Sequence, residues 1–166
     1  MNPYAAPGTR PSATVEVDAG AAEDDIAAAV PAPMARVAGA AVALAGGIVA
    51  LTGAQTLLLV TVRGPFAVVP WVLLVAGMPQ IVFGVWIFRA RVWAAIAAIP
   101  SSGLLALVTA AWLVFSVGHG LISLFAVAAP FGAIAALVFA FLGMGPCQRA
   151  TAARLRLRAQ GMNLGI

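Results

Sequence analysis

The chain has 166 residues, of which 63% are hydrophobic and 8% charged, with a mean hydropathy of +1.07 and a net charge of +4. A soluble domain of this length cannot cover so much apolar surface, so the composition excludes one and makes lipid the solvent. The charge is lopsided: the five acids, Glu16, Asp18, Glu23, Asp24 and Asp25, all lie near the start, and the rest carries eight arginines and no acid. Without intramembrane carboxylates, proton-coupled transport, most metal sites and acid–base catalysis are disfavoured.

In chain order, residues 1–34 hold five of the eleven prolines and lack a basic start followed by an apolar stretch, the pattern of a signal peptide. They are expected to form a disordered, acidic, Pro/Ala-rich cytoplasmic tail, with a short helix near Glu23–Val30 as its one structured piece. A four-helix transmembrane domain is expected over 35–145. Its spans fall at about 37–62, 66–88, 92–117 and 121–144, each longer than the roughly 20 residues that cross a bilayer. The basic residues Arg36, Arg63, Arg89 and Arg91, then His119, punctuate these runs. Residues 146–166, with Arg149, Arg154, Arg156 and Arg158 after Gly145-Pro146, read as a basic cytoplasmic tail. The fold class expected is an all-α membrane protein, a four-transmembrane-helix bundle.

Four spans put both termini on one side. Placing them in the cytoplasm leaves only Arg63 outside, so the expected location is the cell membrane, multi-pass, N-in/C-in. Phe66 and Trp71 would then lie near the outer boundary, and Trp86, Phe88 and Trp93 near the inner one. Trp112 is deeper and is expected to pack on a neighbouring helix. The absence of lysine and the abundance of alanine, arginine and glycine fit a high-GC, bacterial coding bias.

The chain also reads as two duplicated helical hairpins. A shift of 56 residues lays 47–59 on 103–115, where Gly47, Ala50, Leu51, Ala54 and Leu57 meet identical residues, and lays Arg63-Gly64 on His119-Gly120. Such a parallel repeat would have its axis along the membrane normal.

In the first span Gly39, Ala43, Gly46, Ala50 and Gly53 recur at heptad spacing. In lipid, helices associate through close contact, so a seam of small residues marks a packing face. Gly77 and Gly84, with Gln80 between them, supply a matching face in the second span. This pairing is expected within one chain, with pairing between subunits as the alternative.

A polar layer is expected from Gln55, Gln80, Ser101, Ser102 and Thr109. Gln80 lies roughly 20 Å below the outer boundary, near Ser101 and Ser102, while Gln55 and Thr109 lie about 9–12 Å deep. Amides in hydrocarbon need partners, so the layer is expected to fix helix register, with a lining for a small solute as the alternative. Pro79, Pro100 and Pro130 are expected to kink their spans and to free the carbonyls of Val75, Ile96 and Ala126. Arg89, Arg91, Arg149, Arg154, Arg156 and Arg158 are candidate contacts for anionic lipid headgroups.

A single cysteine, Cys147, rules out the dithiol relay of the quinone-linked thiol oxidases, and the membrane glutamate of the small multidrug exporters is missing. No P-loop, catalytic carboxylate pair or nucleophile–base set occurs. No enzyme activity, cofactor or metal is expected. Nor is nucleic-acid binding, because the arginines sit where membrane topology already places them. The expected function is that of a small integral membrane protein acting through helix packing, as accessory subunit, scaffold or homo-oligomer. The expected partners are the lipid bilayer, anionic lipid headgroups and another membrane protein or a second copy. Alternatives are a passive channel or small-solute transporter using the Gln/Ser/Pro layer, and a recruiter of partners through the acidic N-terminal segment.

Overall fold

The computed structural model describes residues 19–59, 67–120 and 123–162. Arg10, Glu16, Asp18, Arg63 and Phe66 lie outside them. The described residues form five helices and no strand: α1 (Ala19–Ala29), α2 (Pro33–Leu59), α3 (Val69–Phe88), α4 (Val92–Gly118) and α5 (Leu124–Ala159). Helices α3 and α4 and the long apolar parts of α2 and α5 are each long and apolar enough to cross a membrane. In hydrocarbon a chain satisfies every backbone N–H and C=O only by staying helical, which is why uninterrupted apolar runs become uninterrupted helices. The protein is an all-α four-helix bundle.

Each bundle helix packs on its neighbours in sequence, and α2 closes the ring by packing along α5. The pairings run antiparallel: Gly39 meets Phe88 while Gly53 meets Leu74, and Gly143 meets Ala38 while Thr52 reaches the Phe125 carbonyl. Alanine fills the core at the arginine-bearing end, where Ala35, Ala38, Ala94, Ala98, Ala136 and Ala140 cluster around Val42 and Ile87. Larger side chains fill the other end, where Trp112, Leu73, Leu105 and Val49 pack on Ala129 and Ala133.

Local signals set the helix ends. Ser123 caps α5, its Oγ accepting from the Ala126 N–H at 3.1 Å. Helix α3 ends in a Schellman turn: the Arg91 N–H donates to the Trp86 carbonyl at 3.0 Å and the Ala90 N–H to that of Ile87 at 2.7 Å. Ala90 there has φ +53, a left-handed position that usually takes glycine. Its methyl is fully buried in the alanine cluster, and a glycine would leave that space empty.

Two expected boundaries differ from the structure. The short helix expected near Glu23–Val30 is α1, Ala19–Ala29, which starts earlier than expected and is not part of a free tail, because it docks on α5 through a small cluster of Ala29, Ala153 and Leu157. The basic segment is not a separate tail either. Helix α5 runs through Gly145-Pro146 to Ala159, since Cys147, Ala150, Ala153 and Leu157 continue its buried stripe. Proline inside a helix costs about 3 kcal/mol, and packing along that stripe offsets it.

The buried faces repeat. A shift of 56 residues carries the buried stripe of α3, Pro70, Leu73, Gly77, Gln80, Gly84 and Ile87, onto Ala126, Ala129, Ala133, Ala136, Ala140 and Gly143, all buried in α5. It also carries Gly39, Val42, Gly46, Val49, Gly53 and Thr56 of α2 onto buried Ala95, Ala98, Ser102, Leu105, Thr109 and Trp112 of α4. Buried Ala45 and Thr52 instead fall on half-buried Ser101 and Val108. Because 56 is a whole number of heptads, stripes that start in phase stay in phase; the coincidence records a shared starting phase in both helix pairs.

Candidate functional site

The tightest contact in the molecule lies between α2 and α3. A Cβ added to Gly46 would sit 2.6 Å from the Gln80 Cβ and 2.7 Å from the Gly77 carbonyl oxygen. One on Gly53 would be 2.5 Å from the Pro70 carbonyl oxygen, and one on Gly39 2.6 Å from that of Gly84. From the facing side, Gly77 approaches Ala50 and Gly46, and Gly84 approaches Ala43 and Gly39. The two backbones touch at the glycines, with only the Cβ atoms of Ala43, Ala50 and Gln80 at the contact, and all seven seam residues lie in one intrachain interface. Gly47, next to Gly46, faces open space. The seam therefore occupies one stripe of α2, beside the separate stripe of Ala38, Ala45 and Thr52 that packs on α5.

Above this seam Gln80, 1% exposed, bridges to α4. Its Nε2 donates to Ser101 Oγ at 2.9 Å, and Ser102 Oγ donates to its Oε1 at 3.3 Å. Ser101 is held in turn by the carbonyls of Ala97 and Ala98, at 2.9 and 3.1 Å. The amide thus joins two helices at one depth through its donor and its acceptor. Gln55 and Thr109 do not join this set. Thr109 Oγ1 donates back to Leu105 O at 2.8 Å within its own helix, as short hydroxyl side chains do when no better acceptor is near. The Gln55 Oε1 has no hydrogen-bond partner, and neither has the fully buried Ser116 Oγ.

Pro79 and Pro100 sit on exposed faces, and α3, α4 and α5 remain continuous through Pro79, Pro100 and Pro130. The residues whose carbonyls the first two release, Val75 and Ile96, also face outward, at 65% and 54% exposure. The third proline, Pro130, and Ala126, the residue whose carbonyl it releases, are by contrast buried in α5, so the three prolines do not share one face of the bundle.

The arginines collect at the end where α1, the α3–α4 turn and the extension of α5 meet. Arg154 is half-buried there. Its Nε donates to the Ala29 carbonyl at 3.1 Å, Nη1 to the Arg89 and Ala90 carbonyls at 3.3 Å, and Nη2 to Arg89 O at 3.3 Å. One guanidinium therefore satisfies the terminal carbonyls of α1 and α3 and ties both to α5. Expected as a lipid contact, Arg154 instead directs donors of all three nitrogens at protein carbonyls. Arg156 reaches Asp25 of α1 at 3.4 Å. Its side chain is 71% exposed, so this pair orients α1 more than it stabilises it. Arg89 and Arg91 lie over the Trp86 ring at 5.5 and 6.0 Å, within an aromatic group of Trp86, Trp93 and Phe83. Arg149 and Pro146 line a groove of about 720 Å³ against the α1–α2 connection, and Arg158 is exposed.

At the opposite end Trp112 is buried and stacks on Phe115 at 5.2 Å. His119 is exposed, with Nδ1 2.9 Å from the Phe115 carbonyl and its ring stacked on Phe115.

The sequence held a signal for the α5 extension and its docking that the expected domain boundaries passed over. Cys147, Ala150, Ala153 and Leu157 continue the 3-and-4 spacing of the fourth span beyond the proline. No family model matches the chain, and neither does any curated protein or any solved structure.

Proposed function

We propose that this integral membrane protein is non-enzymatic and works as a rigid packing unit: an accessory subunit or scaffold of the cell membrane, N-in/C-in, that presents its arginine-bearing end to a partner. The observation that carries this reading is the Arg154 clamp. It holds an acidic helix and an extended α5 in fixed relation to the bundle, a structured platform that membrane anchoring alone does not require. Two further features support it. The glycine seam is closed within one chain, which favours a self-contained bundle over assembly through that seam. The Gln80 amide and both serines satisfy one another, which favours a register-fixing role over a solute lining. On α1, Glu23 and Asp24 stay exposed and are available to a basic partner.

The test is affinity purification of the full chain in mild detergent with mass spectrometry, beside Arg154→Ala and a deletion of residues 1–30. A partner recovered with the wild type and lost with both variants, while the transmembrane bundle keeps its melting temperature, is the expected result. Recovery unaffected by either variant would overturn the platform. One observation favours a solute path, the orphaned Gln55 Oε1 and Ser116 Oγ in the half of the bundle away from the arginines. On the scaffold reading, reconstituted vesicles leak ions no faster than empty ones.

A further inference from the structure

A second basic feature lies beside the clamp. Arg36 from the first turn of α2 and Arg89 and Arg91 from the α3–α4 turn line a pocket of about 260 Å³, together with Phe88 and Pro31. That volume is many times the roughly 30 Å³ share of a water molecule. We propose that this pocket is a binding site for the phosphate headgroup of an anionic phospholipid, with the acyl chains running along Phe88.

Charge is the first argument. Among the described residues the only ion pair joins Arg156 to Asp25, and Arg36, Arg89 and Arg91 have no carboxylate partner. No acid occurs anywhere beyond Asp25 that could supply one. The carbonyls of Arg89 and Ala90, the nearest negative dipoles at the end of α3, already accept from Arg154. Three guanidiniums thus line one cavity without a counter-charge among the described residues.

Geometry is the second. Arg89 and Arg91 are held over Trp86, so two of the three forks are positioned before a ligand arrives and lose less rotamer freedom on binding. Guanidinium forks match phosphate oxygens in paired hydrogen bonds. Depth is the third. The 47%-exposed Phe88 lines the pocket, and Trp86 lies against its Arg89 and Arg91, at the end of two membrane-length helices, the level at which aromatic rings and headgroups meet. A free phosphate would find the same charges and would leave Phe88 uncovered.

The inference rests on membrane residence and not on the scaffold role. It is tested with the full chain, delipidated in neutral detergent and followed by native mass spectrometry during titration with phosphatidylglycerol, phosphatidylcholine or inorganic phosphate. Phosphatidylglycerol is expected to give one adduct retained ahead of any phosphatidylcholine adduct, with no stable adduct of inorganic phosphate. Arg36→Gln, an exposed position with no hydrogen bond to other helices, is expected to lower that retention about fivefold, and Arg158→Gln, outside the pocket lining, to lower it by much less. A melting temperature equal to wild type for Arg36→Gln separates lost binding from lost folding. Equal retention of both lipids, equal loss in both variants, or capture of phosphate without lipid would each overturn the site. So would phosphatidylglycerol binding that appears only after deletion of residues 1–18, since Glu16 and Asp18 would then be the natural occupants. None of these outcomes bears on partner recovery, so failure of the lipid site and failure of the scaffold reading remain distinguishable.

Discussion

The two hairpins share a buried register but hold it by opposite means. In α2–α3 the contact positions Gly39, Gly46 and Gly53 carry no side chain, and the backbones meet directly. Their counterparts one repeat later are Ala95, Ser102 and Thr109, and there α4 packs on its neighbours through side chains, with Trp112 filling the end of the stripe. In lipid, where tails are as apolar as leucine, either close backbone approach or side-chain interlocking can supply the van der Waals contact that holds helices together. A hairpin built on absent side chains should fail when they are added. One built on present side chains should fail when they are removed.

This contrast is open to direct attack by thermal unfolding in detergent. The largest loss is expected from Trp112→Ala, which empties the core between Leu105, Leu73 and Ala129 and should cost about 3–5 kcal/mol. Gly46→Ala should cost about 1–3 kcal/mol, although alanine is the better helix former, because its methyl meets Gln80 and the Gly77 carbonyl. A neutral Gly46→Ala would break the seam as described. Gln80→Leu should cost about 0.6–1.7 kcal/mol, the range of interhelical hydrogen bonds in membranes. Smallest is Gly47→Ala, with its repeat counterpart Gly103→Ala. Both glycines face open space, so each change should stabilise by up to about 1 kcal/mol. Opposite signs at Gly46 and Gly47, adjacent residues of one helix, are the sharpest check.

The seam and the Gln80 layer were legible in the sequence because both rest on periodicity. Small residues at spacings of three and four occupy one face of a helix, and a lone amide in a span must find a partner at its own depth. Depth alone does not say which face a proline takes: Pro79 and Pro100 are exposed, whereas Pro130 at a similar depth is buried. The run of α5 past Pro146 was less legible because the proline's cost to the helix is local, whereas the stripe that carries α5 past it is collective.

By itself the sequence determined four helices long and apolar enough to cross a membrane, the closely packing face of the first span and the absence of any acid beyond Asp25. Those follow from composition and from period along a single helix. Only the tertiary structure decided that α5 runs on to receive α1, and that Arg154 is a clamp while Arg36, Arg89 and Arg91 open onto a pocket. Arginines at the same membrane level look alike in a sequence. Their roles separate once carbonyls from two other helices come within reach of one guanidinium, while among the described residues no carboxylate pairs with Arg36, Arg89 or Arg91.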